Sequence, residues 1–353
     1  MKKIYLVLED GQAFEGYSFG AEAAAVGELV FQTGMVGYIE TLTDPAYYGQ
    51  IILQTFPMIG NYGIIPADFD GKCGACGYVV SEWCETPSNF RCEYTIDKFL
   101  KDQGIPGIYG VDTRELTKIL RDNGTLNATI CDKIPEDLTS LKEYRIINAV
   151  AEMTCDAPKT IEAKGEKKLE LTVVDYGMRA YLAEEMAKRG CRVTVVPANT
   201  SAEEILASSP DGVLLSGGPG DPAENEAYIS NVEKLMGKVP MLGVAFGHQL
   251  MALASGAKTY KLAYGHRGGN QPVKMIGTDR TFITSQNHGY AVDSASVVKG
   301  NVIFMNANDE SCEGIEYKAE KAFSVQFYPE SNSGAHSTSF VFDKFAEMMG
   351  GEN

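Results

Sequence analysis

The sequence has no excess of basic residues and no long apolar run. Its 353 residues contain 31 Lys and Arg against 47 Asp and Glu, which gives a formal net charge of −16. Because nucleic acids and anionic membranes are bound through basic patches, this balance argues against both as partners. No apolar segment approaches the roughly 18–20 residues that cross a bilayer. The apolar start of the chain is too short for a signal peptide, since Glu9 and Asp10 interrupt it. We therefore expect a soluble, acidic, cytoplasmic protein.

Histidine is scarce, and its spacing does not suggest a metal site. The four histidines are His248, His266, His288 and His336. None of them forms an H-x-x-x-H pair. The last three stand in Gly-rich or polar stretches, so we expect them to lie in loops.

The eight cysteines are scattered along a chain without secretory features, which predicts reduced thiols. Only Cys73-Gly-Ala-Cys76, followed by Cys84 and Cys92, resembles the start of a zinc pattern, and no second C-x-x-C follows. We favour free thiols over a structural zinc ion there. The sequence thus predicts no metal and no other cofactor in this chain.

The chain also lacks a nucleophile where its pattern predicts one. An apolar run at 239–244 leads into Gly243-Val-Ala-Phe-Gly247, and a helix-like segment follows from His248 to about Ala254. This is the strand, sharp turn and helix arrangement of a G-x-nucleophile-x-G elbow, in which glycines let the turn tighten and present the central side chain. The central residue is Ala245, which has no lone pair and no ionisable proton. The elbow is therefore predicted to be chemically inactive.

The first predicted domain covers residues 1–150 and is rich in β-structure. Short strands are joined by Gly, Pro and Asp turns. Two helical patches, 96–103 and 113–123, interrupt them, and the second ends at Gly124 as a helix stop. A polar, Lys- and Glu-rich linker is predicted at 151–168.

The second predicted domain, 169–353, alternates apolar strands with helical segments. The alternation runs through Glu170–Asp175, Arg179–Arg189, Arg192–Pro197, Ser201–Ser208 and Gly212–Ser216. It predicts a doubly wound α/β fold with a parallel sheet. Catalytic groups of such sheets lie at the carboxyl ends of strands, where Ser216, Ala245 and Tyr328 fall.

The turn around Ala245 resembles the G-x-C-x-G-H-Q signature of class I, or triad, glutamine amidotransferases. The resemblance extends over essentially the whole chain to the small subunits of carbamoyl phosphate synthetases. In the C-terminal half it is carried by Leu215-Ser-Gly-Gly-Pro-Gly-Asp-Pro222, Tyr264-Gly-His-Arg-Gly-Gly-Asn270, Ser285-Gln-Asn-His-Gly-Tyr290 and Val325-Gln-Phe-Tyr-Pro-Glu330. In the N-terminal half it is carried by Gly27-Glu-Leu-Val-Phe-Gln-Thr33, Gly37-Tyr-Ile-Glu-Thr-Leu-Thr-Asp-Pro45, Ile59-Gly-Asn-Tyr-Gly63 and Gly110-Val-Asp-Thr-Arg-Glu-Leu116. Among amidotransferases, the N-terminal motifs are specific to these small subunits.

The resemblance implies that the amide of glutamine is hydrolysed by a Cys thiolate, with a His as general base and a Glu that orients it. Carried over by position, the nucleophile falls on Ala245, the base on Tyr328 and the orienting carboxylate on Glu330. Tyr328 and Glu330 are expected to share a face at a strand end. Since two of the three side chains are wrong, we expect no glutaminase activity. Neither His248 nor Cys312 is expected to replace them.

The glutamine-binding half of the site is partly retained by the same resemblance. Gly218 and Gly220 match the loop that donates an oxyanion N–H, and the N–H of Phe246 is the second donor. The positions that hold the α-amino and carboxylate groups of glutamine are Gln249, Asn287 and Gly289.

Three contacting side chains depart from the family. Ala46 stands where the family often has Ser, Phe246 where it has Leu, and Tyr290 where it has Phe. The missing hydroxyl at Ala46 and the bulk of Phe246 leave binding of L-glutamine open, since a polar group without its partner forfeits about 1–3 kcal/mol.

Two origins of Ala245 are open. An engineered Cys-to-Ala change traps substrate complexes, but it leaves Tyr328 and Ala46 unexplained. Natural loss of the glutaminase explains all three positions together. We favour natural loss, because several departures from the family's residues at one site indicate a single functional cause.

The resemblance implies a partner as well. The small subunit of the family passes ammonia to a large ATP-grasp subunit, which joins it with bicarbonate and ATP for arginine and pyrimidine synthesis. We therefore predict a heterodimeric small subunit with a defunct glutaminase, and ATP and magnesium on the large subunit. The alternative is a non-catalytic structural or regulatory subunit of an ammonia-dependent synthetase. A binding protein without a large subunit is a third interpretation.

Overall fold

The computed structural model describes residues 2–330 and 336–350, with residue 336 described by its backbone alone. The chain divides into two compact units, Met1–Ala149 and Val150–Asn353. Within the described residues, no helix combines the length and the apolar character that crossing a membrane requires.

The first unit is built on a closed barrel with strand order β1-β2-β8-β6-β4-β3-β9. Its strands are β1 Lys3–Leu8, β2 Ala13–Gly20, β3 Ala25–Gln32, β4 Gln50–Gln54, β5 Met58–Ile59, β6 Gly77–Val80, β7 Glu82–Trp83, β8 Pro106–Tyr109 and β9 Leu126–Cys131. Its helices are α1 Tyr38–Leu42, α2 Ile96–Asp102, α3 Thr113–Asn123 and α4 Thr139–Lys142. Strands β5 and β7 form a separate two-stranded sheet.

Local sequence explains these elements. All five residues of β4 are buried, and β4 pairs in parallel with both β3 and β6. A parallel strand covered on both faces carries a continuous apolar stretch, as Ile51-Ile-Leu53 does. Helix α3 begins after Asp112, whose carboxylate accepts the N–H groups of Arg114 and Glu115. It ends before Gly124, as predicted.

The second unit contains a ten-stranded sheet with strand order β10-β12-β11-β13-β14-β19-β18-β16-β15-β17. Its strands are β10 Lys159–Ile161, β11 Leu169–Asp175, β12 Cys191–Pro197, β13 Gly212–Leu215, β14 Met241–Val244, β15 Thr259–Met275, β16 Thr281–Val292, β17 Asn301–Asn306, β18 Cys312–Tyr317 and β19 Ala322–Val325. Its helices are α5 Ala149–Met153, α6 Ala180–Lys188, α7 Ala202–Ala207, α8 Glu226–Leu235, α9 Phe246–Ala254 and α10 Phe340–Met348.

Strands β12, β11, β13, β14 and β19 form a parallel core, as the sequence predicts. Helices cover both of its faces. One apolar cluster joins Val173 of β11 to α6 and α10, and another joins Val174 to α7, α8 and α9. Neighbouring residues of one strand point to opposite faces, so this division marks a doubly wound sheet.

Two parts of the second unit differ from the sequence-based prediction. The sheet continues beyond β19 as an antiparallel extension dominated by the β15–β16 hairpin. The stretch 151–168, predicted as a linker, contributes to α5 and contains β10, which pairs antiparallel with β12. Its Lys- and Glu-rich composition hides this three-residue edge strand.

Candidate functional site

The elbow has the strand, turn and helix geometry that the sequence predicts. Strand β14 ends at Val244, Ala245 forms the turn, and α9 begins at Phe246. Ala245 has φ 50° and ψ −106°, a positive-φ conformation that a residue with a Cβ adopts only under constraint. A Cβ on Gly247 would lie 2.4 Å from the carbonyl oxygen of Leu215, so close packing explains this glycine. The strained turn expected of a nucleophile elbow is thus present, with a methyl group at its centre.

Ala245 and Tyr328 both lie beside Gly217 and belong to one apolar cluster. A Cβ added to Gly217 would be 3.4 Å from Cε1 of Tyr328 and 3.7 Å from Cβ of Ala245. Ala245 is 3% exposed and Tyr328 is 4% exposed. The hydroxyl of Tyr328 donates to the carbonyl oxygen of Asn287 at 3.3 Å. The phenol therefore lies beside the elbow and points to a backbone acceptor.

Glu330 and Tyr328 share a neighbour, Arg179, that the sequence motifs do not indicate. Both residues lie beyond the end of β19. Nη1 of Arg179 is 3.9 Å from Oε1 of Glu330, and Cζ of Arg179 is 4.5 Å from the centroid of the Tyr328 ring. Arg179 directly precedes α6 at the carboxyl end of β11, the edge where sites form in such sheets. In the sequence, only this place after an apolar strand indicates that Arg179 belongs to a site. The helical pattern that begins at the same residue predicts a helix start instead.

Gln249 and Tyr290, two of the positions expected to hold glutamine, contact each other. The side-chain amide of Gln249 donates to the carbonyl oxygen of Tyr290 at 2.7 Å and to Oε1 of Gln326 at 2.9 Å. Gly289 faces Arg267, because a Cβ there would lie 3.4 Å from Nη2 of that residue. The amide of Gln249 is thus already engaged within the unit.

The oxyanion-loop positions and Phe246 are tightly packed. A Cβ on Gly218 would lie 2.5 Å from the carbonyl oxygen of Tyr176, and Gly220 has φ 87°. The buried ring of Phe246 lies 5.8 Å from the ring of Tyr176. Backbone packing and conformation therefore explain both glycines without a ligand.

Ala46 belongs to the first unit. It lies in the short 3-10 helix Pro45–Tyr47, and its N–H donates to the carboxylate of Asp44 at 2.9 Å. Asp44 therefore caps this turn, and Ala46 contributes a methyl group where a hydroxyl was expected from the family.

His248 is held in the core of the second unit. It is fully buried, and its Nδ1 is 2.8 Å from the hydroxyl of Ser324. Burial lowers the pKa of His248 to about 3. The residue is therefore neutral and structural in its surroundings, as its place on the helix predicts.

Two other histidines correct the sequence-based prediction. His266 and His288 were expected in loops, but they lie in β15 and β16 and face each other directly across the strand pair. The Gly-rich stretch around them resembles a loop because glycine weakens the strand pattern. Together with Glu313 of β18 they form a cluster of three potential metal ligands. Within the described residues, one possible ligand atom from each of the three lies within 4.8 Å of the other two.

The cysteines form free thiols. Burial raises the pKa of Cys73, Cys76 and Cys312 to about 12 each. Thiols of this kind are poor nucleophiles, because the thiolate is the reactive form. In the described part of the chain, no group of three or more metal-binding side chains includes a cysteine.

Comparison with known proteins identifies the family. The description "Carbamoyl-phosphate synthase small chain, CPSase domain" matches residues 6–130, and "Glutamine amidotransferase class-I" matches residues 172–348. The carbamoyl phosphate synthase small chain of Listeria monocytogenes serotype 4b (strain F2365) is 46% identical over 359 residues, covering 100% of this chain and 98% of that protein. The chain belongs to the carbamoyl-phosphate synthase small-chain family.

A second relative agrees with this membership. The carbamoyl phosphate synthase small chain of Fusobacterium nucleatum subsp. nucleatum is 47% identical over 351 residues, covering 98% of this chain and 97% of that protein. The family resemblance drawn from the motifs of both halves is confirmed. A solved structure of a glutamine amidotransferase from Thermotoga maritima aligns with a TM-score of 0.39 and 18% identity, over 51% of this chain and 81% of its own.

Proposed function

We propose that this chain is the small subunit of a carbamoyl phosphate synthetase whose glutaminase centre is inactive. The observation that carries the proposal is the elbow itself. Ala245 keeps the strained backbone of a nucleophile elbow but has only a methyl group to present. Loss of the nucleophile alone costs a triad enzyme on the order of 10⁶-fold in rate.

The neighbouring groups support inactivity. Tyr328, in the base position, donates its proton to the carbonyl oxygen of Asn287. A neutral phenol does not take up a thiol proton, so it does not replace an imidazole as base. Glu330, the orienting position, lies against Arg179. The carboxylate is thus near a permanent cation and needs no protonated histidine to balance it.

A displaced nucleophile has no support among the cysteines. Cys312 is fully buried in β18, and burial raises its pKa to about 12. Cys155 and Cys191 in the same unit also have pKa values raised by burial, to about 11 each. A catalytic thiolate needs the opposite shift.

Ammonia is the nitrogen source that fits this site best. A bound glutamine would have to displace the contacts that Gln249 makes with Tyr290 and Gln326. It would also meet a larger ring at Phe246 than the leucine that the family resemblance implies. The chain then acts as a non-catalytic structural or regulatory subunit of an ammonia-dependent synthetase.

The proposed partner is a large subunit that carries ATP and magnesium and forms carbamoyl phosphate for arginine or pyrimidine synthesis. The support is the N-terminal unit, because residues 6–130 match the CPSase domain of the small chain. A chain that had lost its partner would have no use for this domain. Natural loss remains the preferred origin of Ala245, since Tyr328 and Ala46 changed with it.

Co-expression with the cognate large subunit tests the proposal. We expect the two chains to co-purify, and the complex to form carbamoyl phosphate with ammonium but not with glutamine. Glutamate release should stay at the buffer background at every pH. The matched control is the same complex with Ala245→Cys and Tyr328→His in the small subunit.

Two results would contradict the proposal. Glutamine-dependent synthesis that disappears when thiols are alkylated would reveal a displaced nucleophile. If the small chain purifies alone and monodisperse, without its co-expressed large subunit, the proposed partner is wrong, whatever the activity of the elbow.

A further inference from the structure

A cluster of three buried metal-binding side chains lies in the antiparallel part of the second unit. His266 on β15 and His288 on β16 are direct cross-strand partners, and their rings meet edge to face with centroids 4.9 Å apart. Glu313 on β18 is 0% exposed. Two imidazoles and one carboxylate are a ligand set that zinc takes in proteins.

Each histidine is oriented by an acceptor on its outer side. Nε2 of His266 is 3.0 Å from Oδ2 of Asp309, and Nδ1 of His288 is 2.7 Å from the carbonyl oxygen of Tyr290. A carboxylate and a carbonyl only accept hydrogen bonds, so the ring nitrogen that faces each of them carries the proton. Metal-ligating histidines are held by such outer partners, which fix the tautomer and turn the other nitrogen toward the metal.

The inner nitrogens face oxygen atoms. Nδ1 of His266 is 3.6 Å from Oε1 of Glu313, and Nε2 of His288 is 2.9 Å from Oε1 of Gln286. The carboxylate of Glu313 is itself oriented by the amide groups of Asn306, at 3.3 Å, and Gln286, at 2.9 Å. A deprotonated ring nitrogen and an oxygen atom both carry lone pairs and repel each other. When they face each other in the core, a cation or a further proton is needed between them.

We propose that His266, His288 and Glu313 bind a zinc ion, with Asp309 and the carbonyl of Tyr290 as outer partners. The ligands would be Nδ1 of His266, Nε2 of His288 and the carboxylate of Glu313, with a water or Oε1 of Gln286 in the fourth position. One possible ligand atom from each of these three residues already lies within 4.8 Å of the other two. Zinc–ligand bonds of about 2.0–2.2 Å place tetrahedral donors roughly 3.3–3.6 Å apart, so modest side-chain rotations complete the site.

Charge and position both suit this assignment. The carboxylates of Glu313 and Asp309 balance a divalent cation. His288 lies between Asn287 and Gly289 on β16, so a zinc ion there would tie the edge of the expected glutamine site to β18. The site goes beyond the proposed function, because it requires neither the large subunit nor any activity of the elbow.

The full-length chain, freed of metal with a chelator and then titrated with cobalt(II) and zinc, tests the site. We expect one equivalent of cobalt with visible ligand-field absorption and without the thiolate-to-cobalt charge-transfer band. Competition with a chromophoric chelator then gives the zinc affinity. Glu313→Gln should weaken it at least 100-fold, on the order expected for loss of a ligand rather than an outer partner.

Two further variants separate a ligand set from a fortuitous contact. Asp309→Asn should weaken zinc binding by about 10–100-fold, the range for an outer partner. Glu310→Gln, a change at the neighbouring exposed carboxylate, should leave the affinity unchanged. Circular dichroism and thermal melting check that each variant folds. Should Glu313→Gln unfold, the cobalt spectrum of the parent chain and the Asp309→Asn affinity still decide the matter.

Several outcomes would overturn the site. A thiolate-to-cobalt band would move the metal to the cysteines. Equal affinity for the parent chain and Glu313→Gln would mean adventitious binding. A folded parent chain that takes up no cobalt or zinc would mean that a proton on His266, shared with the two carboxylates, fills the role of the cation.

Discussion

The guanidinium of Arg179 lies over the ring of Tyr328, with Cζ 4.5 Å from the ring centroid. Its Nη1 is also 3.9 Å from Oε1 of Glu330. All three residues are at most 5% exposed. A buried carboxylate needs a compensating positive group, and here a permanent cation supplies it. The arrangement gives the buried Glu330 carboxylate a cation next to it, although residue 328 is a tyrosine and not the histidine that the family resemblance implies.

A double-mutant cycle of Arg179 and Glu330 should therefore show strong coupling. Arg179→Met leaves the buried carboxylate without this cation and should lower the free energy of unfolding by about 3–5 kcal/mol. Adding Glu330→Gln should recover part of the loss, with a coupling energy of about 1–3 kcal/mol. Urea unfolding followed by circular dichroism measures the four proteins. If the losses in the free energy of unfolding of the two single variants add up to that of the double variant, the two side chains do not act as a pair.

The two glycines around the elbow should respond differently to a methyl group. Gly247→Ala forces a Cβ to 2.4 Å from the carbonyl oxygen of Leu215 and should cost about 3 kcal/mol. Gly217→Ala meets Tyr328 and Ala245 only at 3.4 and 3.7 Å, so its cost should stay within about 1 kcal/mol. Thermal melting compares the two variants.

The sole tryptophan supplies a control for this comparison. Trp83 lies in the first unit, so its fluorescence reports that unit separately from the elbow. Equal costs for the two glycine variants would mean that the packing around Gly247 relaxes more than the distances indicate.

His248 should make stability depend on pH. Burial lowers its pKa from 6.5 to about 3, so below pH 6.5 the unfolded chain binds a proton that the folded chain does not. The contribution of neutral His248 to the free energy of unfolding is fully present above pH 6.5. It is lost as the pH falls toward 3, with a limiting slope of about 1.4 kcal/mol per pH unit. Unfolding free energies of the parent chain and His248→Gln between pH 7 and 5 measure it. Identical slopes for the two proteins would show that folding does not lower the pKa of His248.

Short-range sequence patterns correctly predict the elbow, helix α3 and the parallel core of the second unit. The elbow at Ala245 follows from an apolar strand, two glycines and a helix, and α3 follows from its Asp112 cap and Gly124 stop. The parallel core follows from the alternation of apolar strands and amphipathic helices. In each case the signal lies within about ten to twenty residues of the chain, where periodicity and capping operate.

The remaining features depend on pairing between distant residues. The β15–β16 hairpin resembles a loop in sequence, because its glycines and Pro272 obscure the strand pattern while cross-strand register holds it together. His266 and His288 meet through that register, and Glu313 joins them from β18. The contact of Arg179 with Tyr328 and Glu330 joins the first and last strands of the parallel core in chain order. Motif spacing along one sequence does not reveal such contacts.

Repair of the triad should be strongly non-additive. Ala245→Cys alone should give little glutamate release, because Tyr328 does not accept the thiol proton at neutral pH. Ala245→Cys with Tyr328→His should recover part of the activity through a thiolate–imidazole pair oriented by Glu330. By the family resemblance alone, adding Ala46→Ser should increase it further, because the family often has a serine at this position. The triad acts as a unit, so the double variant should exceed the sum of the two single variants.

Glutamate release by the two single variants, the double and the triple measures this repair, with a fourth change, Glu330→Gln in the triple variant, as the control. That change should lower the recovered rate, since the imidazole loses its orienting carboxylate while the elbow and Arg179 remain. Binding of glutamine by the triple variant is measured separately by calorimetry. If the triple variant folds and binds glutamine but releases no glutamate, the assignment of nucleophile, base and orienting carboxylate to positions 245, 328 and 330 is wrong.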